Sequence, residues 1–553
     1  MTNQRQVIAG RETDMVLNNA GGYTFKVSDW DRLDRFLVLG TEGNTYYQSG
    51  AALARENAQH VISLLRTDPE KVIERVVEIS QAGRAPKNDY ALFVLALAAS
   101  DSAPATRQLA LEVLPKVART GTHLFNFVAY AEQFRGWGRA FRRAIGNWYT
   151  SRDVHSLAYQ AVKYQSRDGW SNRDLIRLSH PTAKDDSFDA VFRWMVSGVD
   201  GLKAGNHVRG PRGSEVKTSR KDVSGDLPLI IQAFEEAKTA SEQRVIELIM
   251  SSNLPREAIP TNLLTSAKVW EALLQKMPMT ALVRNLATMT RVGLLTNGSN
   301  AEKQILDKLS DDDAIRNARL HPMNILMALK TYDAGRGVMG TNSWTPNRNI
   351  VDALDDAFYK SFKHVTPTGK KTLLALDVSG SMNFQNISGL VGITPRVASA
   401  AMALITANVE PDHTMIGFTS GGWQASGSNR YHGSSVREIE IDPKAKLLDV
   451  IKQVSELPFS STDCALPMLW ASAHGGEYEN FSVYTDNETY YGAVHPSTAL
   501  KQYRLDHNIP AKLAVFGMTA TKFSIADPAD SGMMDFAGFD SAAPELASQF
   551  FSK

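Results

Sequence analysis

Leu373-Leu374-Ala375-Leu376-Asp377-Val378-Ser379-Gly380-Ser381-Met382 is an apolar strand that stops at a carboxylate and runs into Asp-x-Ser-x-Ser. At the carboxyl end of a parallel strand, that loop presents one carboxylate and two hydroxyls. These are hard oxygen donors, suited to Mg²⁺ with water and a partner filling the remaining positions. Two later segments carry matching groups. Ser461-Thr462-Asp463 follows a helix and a loop, and Phe481-Ser482-Val483-Tyr484-Thr485-Asp486 is a second apolar strand ending in a carboxylate. The expected ligands of one Mg²⁺ are therefore Asp377, Ser379, Ser381, Thr462 and Asp486, with Asp486 acting directly or through water.

Working outward, strand and helix patterns alternate from Lys371 onward. Strands are expected at 372–376, 414–419, 481–485 and 512–517, with helices at 396–409, 445–457 and 496–507. Alternation of this kind specifies a doubly wound parallel α/β sheet, whose ligand loops gather at the strand carboxyl ends. Upstream the period is that of helices. Apolar residues recur at i, i+3, i+4 over 58–65, 72–79, 90–99, 107–117, 124–134, 191–199, 229–238, 241–250, 267–276, 280–289 and 322–332, and 347–363 is one more candidate. Pro86, Pro104, Pro255 and Pro278 separate several of them. Helix pairs of roughly 40 residues without a strict sequence repeat suggest a HEAT-like array. Thr366-Pro367-Thr368-Gly369 reads as the linker, giving a helical domain over 1–368 and an α/β domain over 369–553.

A chain of 553 residues with 43% apolar and 22% charged content is an ordinary globular composition, too long for one core. Cys464 is the single cysteine, which excludes a disulfide framework. The sequence has no apolar signal core near its start and no run of 18 apolar residues, so a cytoplasmic protein without membrane association is expected.

Charge divides with the fold. Residues 1–368 hold 47 Lys and Arg against 40 Asp and Glu, a net of +7, and residues 369–553 hold 13 against 19, a net of −6. A polyanion favours the first half. Its most basic stretch is 135–177, where Arg135, Arg139, Arg142, Arg143, Arg152, Lys163, Arg167, Arg173 and Arg177 outnumber Asp153, Asp168 and Asp174. Trp137, Phe141, Trp148, Tyr149, Tyr159, Tyr164 and Trp170 are interleaved. Guanidinium forks suit phosphate oxygens, and aromatic rings stack on unpaired bases. The competing reading makes the rings helix-packing residues and the arginines a solvated surface. Residues 201–225 are a second basic segment, rich in Gly and Ser and without an apolar period, read as a surface loop of open role.

The three oxygen-bearing segments, in their order, resemble the metal-ion-dependent adhesion site of a von Willebrand factor A-type domain. More broadly, the chain resembles the Ro autoantigen family. The matching stretches include Asn18-Asn19-Ala20-Gly21-Gly22, 35–43, Gly136-Trp137-Gly138-Arg139, Lys163-Tyr164, 167–171, Leu178-Ser179-His180-Pro181, Arg284-Asn285-Leu286, His321-Pro322, Asp463-Cys464-Ala465 and 484–489. The likeness covers nearly the whole chain and is strongest to the bacterial branch.

The resemblance implies a TROVE module, a monomeric ring of HEAT-like helices closed by the A domain. It implies binding of single-stranded ends of misfolded noncoding RNAs in the central hole and of Y-type small RNAs on the basic outer surface, with an exoribonuclease as a further partner. Carried over residue by residue, the RNA surface comprises Arg139, Lys163, Arg167, Arg173, Arg177, His180 and Arg284, to which the basic stretch adds Arg142. His180 also reads as a helix cap, and Arg284 as a buried ion pair. One departure stands out: Ser460-Ser461 occupy the place of two glycines in the family's loop, and a turn needing positive φ would be strained there.

A different class of function is a metal-dependent scaffold whose basic helices bind acidic protein partners, and salt-dependent RNA binding separates the two. A phosphohydrolase using Asp377 lacks the second carboxylate of Asp-x-Asp. No Walker A, HExxH or zinc pattern is present, and no His neighbours Cys464 to activate its thiol. No catalysis is expected.

Overall fold

The computed structural model describes residues 6–41, 48, 50–203, 208–209, 215–216, 221–337, 341–362, 365–420, 435–440, 445–458 and 460–553. They form two compact units, one of Met1–Leu64, Ala82–Tyr90 and Leu306–Lys553, the other of Leu65–Gln81 and Ala91–Ile305.

The first unit is built on a six-stranded sheet in the order Met533–Ala537, Lys512–Gly517, Asn480–Thr485, Thr372–Asp377, His413–Phe418, Val436–Glu438. Every pairing is parallel except the last, where Val436–Glu438 runs antiparallel at the edge. Thr372–Asp377 and Asn480–Thr485 are buried at every position. That is why they read as continuous apolar runs: a strand covered on both faces has no polar side to alternate. On one face Leu373, Ala375, Phe481, Val483, Leu513 and Val515 pack with Met468, Leu500 and Tyr503 from the helices Leu466–Ala473 and Pro496–His507. The helix Pro395–Val409 lies against Thr372–Asp377 and Asn480–Thr485 as well. Its start is set by Thr394, whose hydroxyl accepts from Val397 N–H at 3.3 Å, with Pro395 in the first turn.

The N-terminal segment belongs to this same unit. Met15–Leu17 and Tyr23–Lys26 form an antiparallel hairpin, and the second strand also pairs with Phe523–Ser524. Buried arginines fasten the segment further. Arg35 Nε donates to Asp535 Oδ2 at 2.9 Å, and its Nη1 donates to the carbonyls of Thr521 and Phe523 at 3.0 and 2.9 Å. Arg84 donates through Nε to both carboxylate oxygens of Asp540 at 3.1 and 2.9 Å. Arg11 bridges to Asp527 in the same two-pronged way, at 2.9 and 3.0 Å. The packing unit thus crosses the 368/369 boundary read from the sequence.

The second unit is helical. Its elements include Pro69–Ala82, Pro104–Val117, Gly121–Phe134, Asp186–Ser197, Leu229–Ala237, Glu242–Ser252, Ala267–Gln275 and Met279–Arg291, close to the expected spans. Three further helices, Arg139–Thr150, Val154–Lys163 and Asn172–Ser179, occupy the basic, aromatic-interleaved stretch, for which no individual helix bounds were read. The period was there: Phe141, Ala144, Ile145, Trp148 and Tyr149 make the buried stripe of the first. Most of the basic segment 201–225 lies outside the described residues; within it Val208–Arg209 pairs antiparallel with Glu215–Val216. No described helix is long and apolar enough to cross a membrane.

Candidate metal centre and nucleic-acid interface

The strand ends bring four of the five expected metal ligands together. Leu376 lies opposite Tyr484 in the parallel register, so the loops after the two strands start side by side. Asp377 is fully buried, its Oδ1 accepting from Ser379 N–H at 2.9 Å and its Oδ2 from the Thr485 hydroxyl at 2.6 Å. The hydroxyls of Ser379 and Ser381 are 3.1 Å apart, and Ser381 in turn hydrogen-bonds Asp486. Burial raises the Asp377 carboxyl above its ordinary value, against the hydrogen bonds from Ser379 and Thr485. Burial, reinforced by the neighbouring charge of Asp377, pushes Asp486 up to about 7. The charge of Asp377 thus bears on Asp486 across a buried pocket of hydroxyls.

Thr462, the fifth expected ligand, is buried, and its carbonyl accepts from Tyr490 and Tyr491 N–H at 3.3 and 3.1 Å. Its loop is tied down by Thr419, whose hydroxyl accepts from Ser460 N–H at 2.8 Å and donates to the Ser461 carbonyl at 2.9 Å. Gly380 N–H donates to the Ser460 carbonyl at 3.3 Å, joining this loop to the Ser379–Ser381 turn. Neither Ser460 nor Ser461 takes a left-handed conformation, so the loop runs its course without the glycines.

Among the described residues no group of three or more His, Cys, Asp and Glu side chains forms a metal cage. The donor set here is of another kind, the two carboxylates of Asp377 and Asp486 with the two hydroxyls of Ser379 and Ser381, all oxygen, which matches a hard cation that keeps part of its water shell. Sequence reasoning missed Thr485, which orients Asp377, and Arg396. The Arg396 guanidinium is buried, donates to the Leu457 carbonyl at 2.7 Å and places its positive field on Asp377. Cys464 lies 3.6 Å from the Thr485 hydroxyl, its thiol pushed up by burial and by the nearby carboxylates, the opposite of an activated nucleophile.

The basic residues fall into distinct groups. Arg139, Arg142, Arg143, Asn147 and Thr150 share one face of the helix Arg139–Thr150 and, with Ser179, His180, Pro181 and Thr182, line a cleft of about 450 Å³. The three arginines are exposed, and none has an ion-pair partner among the described residues. His180 holds the left-handed C-cap of Asn172–Ser179, at φ 49 and ψ 56, while its ring is exposed on the cleft. Cap and cleft-lining residue are thus one position.

Arg173 and Arg177 stand one turn apart on the exposed side of Asn172–Ser179, a helix started by a reciprocal capping box between Ser171 and Asp174. Arg177 lines a second cleft of about 550 Å³ with Glu132, Asp168, Trp170, Asp174 and Leu178. Arg167 lies 3.5 Å from Asp168, and Lys163 is half-buried over the rings of Tyr159 and Tyr164. Arg284 is exposed rather than buried in an ion pair.

Of the seven interleaved aromatics, Phe141, Trp148 and Tyr149 are core, and Trp137, Tyr159, Tyr164 and Trp170 are half-buried. Trp148 Nε1 donates to the Ala118 carbonyl at 2.5 Å, and the Tyr149 hydroxyl donates to Asn172 Oδ1 at 2.9 Å. Trp170, half-buried against Trp137 with ring centres 5.6 Å apart, is the ring that faces a cleft.

A helical array bearing exposed, unpaired arginines and an A-type sheet with an oxygen-lined strand-end pocket define the class. The TROVE domain family matches residues 16–334 and the Ro60 vWA domain family residues 371–551. The chain belongs to the Ro60 family of TROVE-domain proteins. It is 39% identical over 538 residues to the RNA-binding protein RO60 of Deinococcus radiodurans, covering 97% of this chain and 95% of that one. It is 35% identical to the RNA-binding protein RO60 of Caenorhabditis elegans over 595 residues, covering 97% and 90%. The crystal structure of the Deinococcus radiodurans RO (RSR) protein matches with a TM-score of 0.67 at 38% identity, covering 95% of this chain and 99% of that one.

Proposed function

We propose that this protein binds RNA, taking Y-type small noncoding RNAs and the single-stranded ends of misfolded RNAs, in cytoplasmic RNA quality control or decay. The observation that carries this reading is the cleft in which Arg139, Arg142, Arg143 and His180 converge without an internal anion to satisfy them. Unpaired guanidinium groups on an exposed concave face select phosphate. The names of the relatives support the same class of ligand. An exoribonuclease is proposed as a partner, reached through the Y-type RNA.

In this reading one Mg²⁺ is held by Asp377, Ser379, Ser381, Thr462 and Asp486, some through water, and supplies an open coordination position for a partner oxygen. Its role is adhesive, and no catalytic step is assigned to it. Crosslinking in cells followed by sequencing of the recovered RNA tests the assignment. Small structured RNAs and frayed 3′ ends are the expected catch. Recovery of acidic proteins with no RNA would favour a metal-dependent protein scaffold instead.

A further inference from the structure

Two sequence stretches with no evident business with one another meet in the first unit: Asn18-Asn19-Ala20-Gly21-Gly22, the hairpin turn, and Asp486-Asn487-Glu488-Thr489, the loop that carries a candidate metal ligand. Asn19 Nδ2 donates to Glu488 Oε1 at 2.8 Å and Ala20 N–H to Glu488 Oε2 at 3.0 Å, so both oxygens of this buried carboxylate are taken by the turn. Asn18 Nδ2 donates to the carbonyls of Thr489 and Asn487 at 2.6 and 3.3 Å. Gly22 fits because it has no side chain: a Cβ there would lie 1.8 Å from the Thr489 carbonyl oxygen.

The far side of the loop faces the metal pocket. Glu488 N–H donates to Asp486 Oδ1 at 3.1 Å, across Asn487 in a left-handed conformation at φ 64. The Thr489 hydroxyl accepts from Cys464 N–H at 3.2 Å, two residues after Thr462. One short loop therefore orients Asp486 and abuts the Thr462 segment, and the hairpin turn grips that loop from behind.

We propose that the Asn18–Gly22 turn is the brace of the cation site, with Asn19 the positioning residue that acts on Asp486 through Glu488; this rests on the metal reading given under Proposed function. Loss of the Asn19 amide takes the side-chain donor from Oε1 of this buried carboxylate and leaves it held by backbone N–H alone. The carboxylate swings toward water or toward the cation, and either movement drags the Glu488 N–H off Asp486. Partners of this kind set ligand orientation, and their loss weakens metal affinity by about 10- to 100-fold.

The test is a Mn²⁺ titration of the full chain followed by electron paramagnetic resonance. Wild type binds one Mn²⁺, and Asn19→Ala weakens binding about tenfold, the lower end for such a partner. Asn19→Ser, which keeps a donor at shorter reach, is intermediate and serves if the alanine variant does not fold. The decisive comparison is Asn19→Ala/Glu488→Gln against Glu488→Gln alone. If Asn19 acts through Glu488, the double variant binds no more weakly than the single one. Additive losses, or wild-type affinity in Asn19→Ala, overturn the brace and leave the metal reading standing. Absence of Mn²⁺ binding in the wild type removes the metal reading and the brace together.

Discussion

The hydroxyl of Thr485 donates to Oδ2 of Asp377 at 2.6 Å, across neighbouring parallel strands and with both residues buried. Asp377 accepts on its other oxygen from Ser379 N–H. Its rotamer is thereby fixed from both sides, as the cation site proposed above would require. Thr485→Val keeps the shape and removes the donor. It should destabilise the protein by about 1–3 kcal/mol, the cost of leaving a buried acceptor unsatisfied. Urea unfolding in the presence of a chelator measures this, and a variant as stable as wild type would show that the hydrogen bond is idle.

Arg84 and Asp540 are joined by two-pronged hydrogen bonds in a buried position. Asp540→Ala leaves the guanidinium without its counter-charge and should cost about 3–5 kcal/mol. The double change Arg84→Met/Asp540→Leu should recover most of that loss, because it removes the desolvated charge along with its partner. Equal stability of the single and double variants would contradict this account.

His321 caps the helix Pro322–Asp333: Nδ1 accepts from Met323 N–H at 3.1 Å and Nε2 lies 3.1 Å from the Arg84 carbonyl. Burial pushes its pKa down to about 3, against the carbonyls of Arg84 and Phe539. The unfolded chain therefore takes up this proton near pH 6.5 and the folded chain only near 3. Stability is complete above pH 6.5 and falls as pH drops through that window, by up to about 1.4 kcal/mol per pH unit for one proton. His495, pushed down to about 4 by burial, adds in the same direction. Asp463 and Asp486, raised by burial to about 6 and about 7, act with the opposite sign over the same range, so the His321 share is read as a difference: in urea unfolding at pH 7, 6, 5 and 4, His321→Asn, which keeps a capping side chain, should differ from wild type in slope by about one proton.

On the helical unit, Arg139→Ala/Arg142→Ala should weaken binding of single-stranded RNA and flatten the plot of log affinity against log salt. Two lost phosphate contacts reduce the slope by about 1.4 units, at about 0.7 each. Arg173→Ala/Arg177→Ala is the parallel experiment on the neighbouring helix. Unchanged slopes in both pairs would return these arginines to the solvated surface. Trp170→Ala should cost about 1–3 kcal/mol of binding if its ring stacks on a base, with no change in salt slope.

The α/β sheet and the oxygen donors at its strand ends could be read from the sequence because their signals are local. Leu373–Leu376 is an unbroken apolar run, and the oxygen donors follow it within five residues. The helical array was legible for the same reason, except where arginines drew attention away from the Phe141–Tyr149 stripe. What could not be read was which distant segments meet. Asn18 and Thr489 each sit in an unremarkable polar stretch, and nothing in either points to the other. The three-residue strand Met15–Leu17 is too short to show a period, and Thr485 looks like one more strand residue until its neighbour is known.

The pairing of Tyr23–Lys26 with Phe523–Ser524 joins two segments that the ribosome makes far apart in time. A ribosome adding 5–20 residues per second needs on the order of half a minute to a minute and a half to cover the roughly 500 residues between them. Through that interval Phe25 waits uncovered beside an open strand edge, and Arg35 and Arg84 wait for aspartates not yet made. A chain released early keeps those features on display, and exposed edges of that sort attract chaperones, proteases and one another. Arrival of residues 523–524 is thus registered roughly 500 residues upstream, by the concealment of the Met15–Lys26 hairpin.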